Sequence, residues 1–238
     1  MEHTVEDPLV YIIVPVYNQW QDTAEALASL LGLSYPNFKI VVVDNGSQDQ
    51  TLTELACHFP TVTALALGEN RGFAGAVNAG ITFALAQHAE RVLIINNDIW
   101  VDPALLTRLV AASQPANVGV VGPAIYYAEE PERLWFAGAR RHPLLLETRE
   151  SYRGRPTPAD WDEPFAVDYL AGTAILVRRE LIEAIGLLDE RFFFTMKTWT
   201  SACAPNALAF NYIQCRLPVC GIKSHAQPGC NLRFNSIN

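Results

Sequence analysis

Three short polar stretches each follow an apolar run: Tyr17-Asn18 after residues 9–16, Asp44-Asn45 after residues 38–43, and Asn96-Asn97-Asp98 after residues 92–95. A carboxylate such as Asp98, flanked by amides where a buried parallel strand ends, can hold a hard divalent cation that also takes phosphate oxygens. Taken alone the triplet could equally be a turn, because Asn and Asp favour turns through local hydrogen bonds. Between the second and third stretches runs Asn70-Arg71-Gly72-Phe73-Ala74-Gly75-Ala76-Val77-Asn78-Ala79-Gly80. Small residues at a helix start let a ligand approach the backbone, and the free N–H groups there suit a pyrophosphate. One polar strand end is weak evidence; three of them with this Gly-rich segment favour a nucleotide pocket over three unrelated turns.

The elements needed to bring these residues together follow from periodicity. Residues 9–16, 38–43, 62–67 and 92–95 have the length and β-branched content of strands. Between them, residues 22–31 and 51–58 have helical spacing, and the Gly-rich segment leads into a helix ending near His88. Leu105, Leu106, Leu109 and Val110 mark a further helix, residues 118–121 a strand, and residues 178–185 a short helix stopped by Gly186. Alternating strands and helices of this length imply an α/β fold, a Rossmann-like, mostly parallel sheet with helices on both faces. Ligands of such sheets collect beyond the carboxyl ends of the strands. Residues 126–164 carry Pro, Arg, Glu and Trp without a clear period and are expected as a long excursion over the pocket mouth. Order is expected to return at residues 165–177. Within the excursion, Trp135 or Arg140 could contact an acceptor, although a solvated loop with a packed tryptophan is the simpler reading.

Composition narrows the function. With 238 residues, half of them hydrophobic, and no Pro- or Gly/Ser-rich linker, a single domain with a sizeable core is expected. The formal net charge of -8 argues against a nucleic-acid partner and against simple electrostatic adhesion to anionic lipid. Residues 1–7 lack the pattern of a signal peptide, and no apolar run approaches the ~20 residues of a transmembrane segment, so a cytoplasmic location is expected. The five cysteines do not suggest a disulfide framework, and Cys203, Cys215, Cys220 and Cys230 lack the paired spacing of a zinc site.

Val14-Pro15-Val16-Tyr17-Asn18, Val43-Asp44-Asn45-Gly46-Ser47 with Asp49, Asn70 with residues 72–80, Asn96-Asn97-Asp98, Leu170-Ala171-Gly172-Thr173-Ala174, and Gly186-Leu187-Leu188-Asp189-Glu190-Arg191-Phe192-Phe193 occur in this order. The ordered set resembles the inverting glycosyltransferases of family 2, with the GT-A fold, over about residues 9–194. The resemblance implies transfer of a sugar from a nucleotide-diphosphate sugar to a saccharide or lipid-linked acceptor, in cell-wall polysaccharide synthesis. Peripheral attachment at the inner membrane face would suit such an acceptor. It further implies that Pro15, Tyr17 and Asp44 hold the nucleoside, that Asn70, Gly72, Asn78 and Asn97 line the nucleotide, and that Asp98 is the metal-binding member of a DxD-like triplet carrying Mg²⁺ or Mn²⁺. Gly172 and Thr173 would lie on the acceptor side. The Asn-Arg-Gly-Phe-Ala-Gly segment resembles the rhamnosyltransferase branch, whose donor is a deoxythymidine-linked sugar.

The chain departs from the family at its end. The family's catalytic base comes from a Glu-Asp pair shortly after the Asp-Glu-Arg-Phe-Phe segment; here no Asp or Glu follows Glu190. Met and Trp have single codons, and reading from the third base of each codon turns Met196-Lys197 into Glu and Trp199-Thr200 into Asp, giving Glu-Asp-Val-Asp when the intervening codons permit. Residues 201–210 and 219–223 also permit family-like sequence in that frame, the latter Val-Trp-His-Lys. A slipped base in the T-rich codons of Phe192-Phe193-Phe194 would explain this, with residues 195–238 then an aberrant tail, irregular and not a separate domain. Two other readings stand beside this one. A non-catalytic nucleotide-sugar-binding protein would have lost the base under selection. A Rossmann oxidoreductase would need G-x-G-x-x-G after the first strand, where this chain has Pro15-Val16-Tyr17-Asn18.

Overall fold

The computed structural model describes residues 7–142, 147–150, 152–158, 161 and 163–191, with the backbone of two short strands at 212–215 and 220–222. Strand β1 (Val10–Val16) shows how the sequence builds the core. Val10, Ile12, Val14 and Val16 enter one buried cluster and Tyr11 and Ile13 another, because successive side chains of a strand point to opposite faces. Strands β2 (Phe38–Asp44) and β4 (Arg91–Ile95) divide in the same way, Val42 and Leu93 to the first cluster, Val43 and Ile94 to the second. A strand buried on both faces must be apolar throughout, so these read as continuous runs and not as alternating ones.

Each face has its helices. The first is covered by Leu27 and Leu30 of α1 (Trp20–Leu31), Leu55 of α2 (Thr51–His58), and Leu105, Leu106 and Leu109 of α4 (Leu105–Ala112). The second is covered by Ala76, Val77, Ile81 and Ala84 of α3 (Gly72–Ala86) and by Leu181 and Ile182 of α5 (Arg179–Ile185). The Gly-rich segment expected ahead of a helix is thus the first half of α3 itself. Gly80 has a packing reason to be there: a Cβ on it would stand 2.5 Å from Ile13 Cγ2 and 3.0 Å from Val43 Cγ2. Glycine in a helix interior costs about 0.5–1 kcal/mol relative to alanine, and the close seating of α3 on the sheet is what offsets it.

With β3 (Thr63–Ala66), β6 (Val120–Pro123), β11 (Phe165–Val167), β12 (Ala174–Arg178) and β13 (Tyr212–Cys215), the main sheet runs β11-β13-β6-β12-β4-β1-β2-β3. Strands β4, β1, β2 and β3 are parallel, and β12 is antiparallel to both β4 and β6. The chain winds outward from β1 through β2 to β3, then returns across α3 to place β4 on the other side of β1. The winding direction therefore reverses between β1 and β4, and at such a reversal the loops leaving the two strands diverge and open a crevice.

Residues 126–164 depart from the expected excursion. Within them β7 (Ile125–Tyr127) and β8 (Leu134–Phe136) belong to a second sheet, ordered β5-β14-β7-β8 with β5 (Ile99–Val101) and β14 (Cys220–Ile222), and β9 (Arg140–Arg141) pairs with β10 (Thr148–Arg149). Tyr126, Leu134, Ala137 and Trp161 form a small core of their own, and Trp135 packs against the main one. Strands of two or three residues are too short to show a period, which is why the sequence hid them.

The tail expected to be irregular lies for the most part outside the described residues, as do Cys203, Cys230 and the segment 195–200 that bears on the reading frame. Its two described pieces differ from the expectation. β13 pairs parallel to β6, with Ile213 opposite Val121, and β14 lies between β5 and β7. Tyr212 and Ile213 are residues that fit a pleated surface well.

Candidate functional site

A cavity of about 370 Å³ opens at the reversal between β1 and β4, lined by Pro15, Val16, Tyr17, Gln19, Asn45, Asn70, Gly72, Phe73, Asn96, Asn97 and Asp98. Every one of these residues follows from the topology. Pro15 to Gln19 leave β1, Asn45 leaves β2, Asn70 to Phe73 lead into α3, and Asn96 to Asp98 leave β4. Tyr17 stands at the mouth, 44% exposed. Its lining combines apolar and aromatic residues (Pro15, Val16, Tyr17, Phe73) with amides and one carboxylate, a composition suited to a ligand with one flat apolar part and one polar part.

Side-chain hydrogen bonds join these loops to one another. From β1 to β2, the Asn18 N–H donates to Ser47 Oγ at 2.7 Å and the Gln48 N–H donates to Asn18 Oδ1 at 2.8 Å. From β2 to α3, Asn45 Nδ2 donates to Asn70 Oδ1 at 3.0 Å and to the Gly72 carbonyl at 3.1 Å, while Asn45 Oδ1 accepts the Arg71 N–H at 2.8 Å. From β4 to α1, Asn97 Nδ2 donates to Thr23 Oγ1 at 3.0 Å. Asn45 is only 5% exposed, and these three bonds satisfy its own amide, which would be costly to bury without partners. The α3 N-terminus, with its partial positive charge, is thereby held at the cavity edge, its Gly72 N–H donating to Asn70 Oδ1 at 2.9 Å. Gly46 fits the same design: its φ of 80° and a would-be Cβ 2.7 Å from the Glu69 backbone leave space for no side chain.

Of the residues singled out from sequence, Pro15, Tyr17, Asn70, Gly72, Asn97 and Asp98 meet at this cavity. Asp44 and Asn78 are set back from the lining. Asp44 is 1% exposed; its Oδ2 accepts the Ser47 N–H at 3.2 Å, and its Oδ1 is buried with no hydrogen-bond partner among the described residues. Asn78 spends its amide elsewhere, donating to the Leu188 carbonyl at 2.9 Å and to Glu190 Oε1 at 2.8 Å and accepting the Leu188 N–H at 2.9 Å. It ties α3 to the segment after α5. Gly172 and Thr173 are buried beside the triplet, the Thr173 carbonyl accepting the Asn96 N–H at 2.9 Å. None of the described residues from 126 to 164 lines the cavity.

The sequence reading gave no role to Asn45, Gln19, Phe73 or Asn96, all of which line the cavity. An amide directly after a fully buried strand was the signal for Asn45 and Asn96. Gln19 carried no signal: it and Asn18 adopt left-handed backbone, φ 64° and 58°, which is uncommon for glutamine. Asp189 and Glu190 are engaged locally, Glu190 by Asn78 and Asp189 by Arg191, whose guanidinium and backbone N–H hold the Asp189 carboxyl below its ordinary pKa.

Residues 11–186 match the family model for glycosyl transferase family 2. The chain belongs to that family. An uncharacterised glycosyltransferase of Rickettsia prowazekii is 40% identical over 195 residues, covering 82% of this chain and 58% of its own length. The dTDP-rhamnosyl transferase RfbF of Shigella flexneri is 23% identical over 196 residues, covering 82% of this chain and 62% of its own. This family 2 chain therefore spans under two thirds of either relative. Among solved structures, the mannosyltransferase PcManGT of Pyrobaculum calidifontis, in complex with GDP-Man and Mn²⁺, superposes with a TM-score of 0.64 at 20% identity, over 94% of this chain and 59% of its own. The fold of this family 2 member is accordingly that of the GT-A glycosyltransferases. Among the described residues no helix is long and apolar enough to cross a membrane.

Proposed function

We propose that the chain is the donor-binding part of an inverting glycosyltransferase, which takes a sugar from a nucleoside-diphosphate donor to a saccharide or lipid-linked acceptor. The observation that carries this is the cavity at the β1/β4 reversal, where the N-terminus of a 15-residue helix and the Asp98 triplet face one space. In this reading Pro15 and Tyr17 contact the base, Asp44 lies beneath the nucleoside, and Asn70 and Gly72 border the diphosphate. Asn78 acts from behind, by holding α3 against the segment that follows α5. Gly172 and Thr173 flank the acceptor side through their contact with Asn96. Two relatives favour rhamnose as the sugar, the Shigella protein and an N-acetylglucosaminyl-diphospho-decaprenol L-rhamnosyltransferase of Mycobacterium tuberculosis, 26% identical over 229 residues, and the first of them favours a deoxythymidine-linked donor.

The donor set suits a cation shared with the ligand. Among the described residues no three His, Cys, Asp or Glu side chains gather to hold an ion by themselves, whereas Asp98 lines the cavity beside Asn96 and Asn97. Ions of the Mg²⁺ kind are bound by one or two carboxylates together with substrate phosphates and water. Such an ion, Mg²⁺ or Mn²⁺, would neutralise charge on the departing diphosphate. The solved relatives that were crystallised with Mn²⁺, PcManGT and GalNAc-T7, support the same choice.

The acceptor hydroxyl must still lose its proton as it attacks, and the carboxylate that the family uses has no counterpart after Glu190 in this chain. Donor binding then survives while transfer is slow, the result of a shifted reading frame after Phe194. The same absence favours a second reading, a nucleotide-sugar-binding protein without catalysis, for which the gene would show an intact frame. Calorimetric titration with dTDP, UDP and GDP, each with and without Mn²⁺, tests what both readings share. Manganese-dependent binding of at least one, with dTDP tightest, is expected; no binding by any of the three would contradict the pocket.

A further inference from the structure

Thr23 lies in the first turn of α1 and is fully buried, 0% exposed, although it carries a hydroxyl and is not among the residues lining the cavity at the β1/β4 reversal. A buried hydroxyl persists where it bonds, and this one bonds twice. It donates to the Gln19 carbonyl at 3.0 Å and accepts from Asn97 Nδ2 at 3.0 Å. Each partner lines the cavity, Gln19 on the wall leaving β1 and Asn97 on the wall leaving β4. Hydroxyl geometry is used fully: its one proton goes to one wall and a lone pair to the other.

The two walls need such a fastening. Asn18 and Gln19 sit in left-handed backbone, φ 58° and 64°, conformations that cost on the order of 1–3 kcal/mol each and persist only when neighbours over-determine them. The Thr23 N–H also donates to the Gln19 carbonyl, at 3.1 Å, so one residue holds that turn by two bonds. On the opposite wall the triplet is pinned at both its amide residues: the Asn96 N–H reaches the Thr173 carbonyl at 2.9 Å, and the Asn97 side chain reaches Thr23. Asp98 follows at once, before the chain enters β5 at Ile99.

We infer that Thr23 is a positioning residue, whose hydroxyl sets the separation of the β1 and β4 walls and so aims Asp98 at the diphosphate of a bound nucleotide. This rests on the nucleotide reading of the cavity. Without the hydroxyl, Asn97 Nδ2 loses the Thr23 acceptor, while the turn at Gln19 keeps its bond from the Thr23 N–H.

Thr23→Val preserves shape and removes the hydroxyl; Thr23→Ser restores it without the methyl group. Both are titrated with dTDP in the presence and absence of Mn²⁺, beside the unaltered chain and Asn97→Ala, with melting temperatures recorded for all. The quantity of interest is the ratio of the two dissociation constants, because a purely structural role would move both together and leave their ratio alone. Thr23→Val is expected to lower the manganese enhancement about tenfold, one lost hydrogen-bonded contact at about 1.4 kcal/mol, with Thr23→Ser within about threefold of the unaltered chain. The double variant with Asn97→Ala is expected to be no worse than Asn97→Ala alone, since both changes break one link. An unchanged ratio in Thr23→Val overturns the inference, as does additive loss in the double variant. If Thr23→Val does not fold, a Thr23→Ser chain that melts normally yet loses the enhancement overturns it too, and one that keeps the enhancement supports it. Absence of dTDP binding by the unaltered chain would instead defeat the nucleotide reading, and the inference with it.

Discussion

Re-encoding the gene so that the codons after Phe194 are read from their third base is expected to raise the rate of sugar transfer by about 10²–10⁴-fold, the usual contribution of a positioned general base. The reason is local. In the proposed reading the cavity binds and orients a donor but supplies no base: Asp98 is kept for the cation, Asp44 is 1% exposed, and Glu190 accepts a hydrogen bond from Asn78. Met196-Lys197 and Trp199-Thr200 fix Glu and Asp in the shifted frame whatever codons the gene uses, so the re-encoded chain regains carboxylates a few residues beyond Glu190. Product formation from dTDP-rhamnose and a pyrophosphate-linked acceptor would be followed for the two chains side by side. Dissociation constants for dTDP should agree within a few-fold, because the residues of the cavity are common to both. Equal transfer rates, or codons in the natural gene that cannot yield the shifted residues, would remove the explanation by a changed frame and leave the non-catalytic reading standing.

Asp98→Asn should have the next largest effect. It keeps the shape and hydrogen-bonding size of the side chain and removes the charge, so the fold should be unaffected while affinity for a hard cation falls. In the re-encoded chain we expect transfer to drop by about 10²–10³-fold, comparable to removal of one group that stabilises developing negative charge. In the present chain, dTDP binding should become independent of Mn²⁺. Retention of the manganese dependence in Asp98→Asn would mean that the ion, if bound, is held elsewhere.

How much of this was legible in the sequence varies by region, for physical reasons. The parallel half was readable because β1, β2 and β4 are buried on both faces and must be continuously apolar, and because polar residues start abruptly where such strands leave the core. That abrupt change marked Tyr17, Asp44, Asn97 and Asp98, and the Gly-rich helix start marked Asn70 and Gly72; all but Asp44 line one cavity. It could not distinguish a side chain that faces the cavity from one that braces it. Asn78 looked like a ligand contact, yet its amide is used on Leu188 and Glu190, 110 and 112 residues away in sequence. Thr23 works in the reverse sense: its importance lies in bonds to Gln19 and Asn97, which depend on tertiary proximity and leave no local pattern, and the strand end that marked Asn45 did not foretell its bonds to Asn70 and Arg71. The second sheet was hidden because each of its strands is three residues long and some take their partners from distant parts of the chain, β5 from β14 above all.

The most direct measurement is anomalous scattering at the manganese edge from crystals grown with dTDP and Mn²⁺. A single manganese peak in contact with an Asp98 carboxylate oxygen and both phosphates of the nucleotide, with the thymine ring between Pro15 and Tyr17, is the predicted result. Nucleotide bound with its diphosphate away from Asp98, or manganese at a different place on the surface, would contradict it.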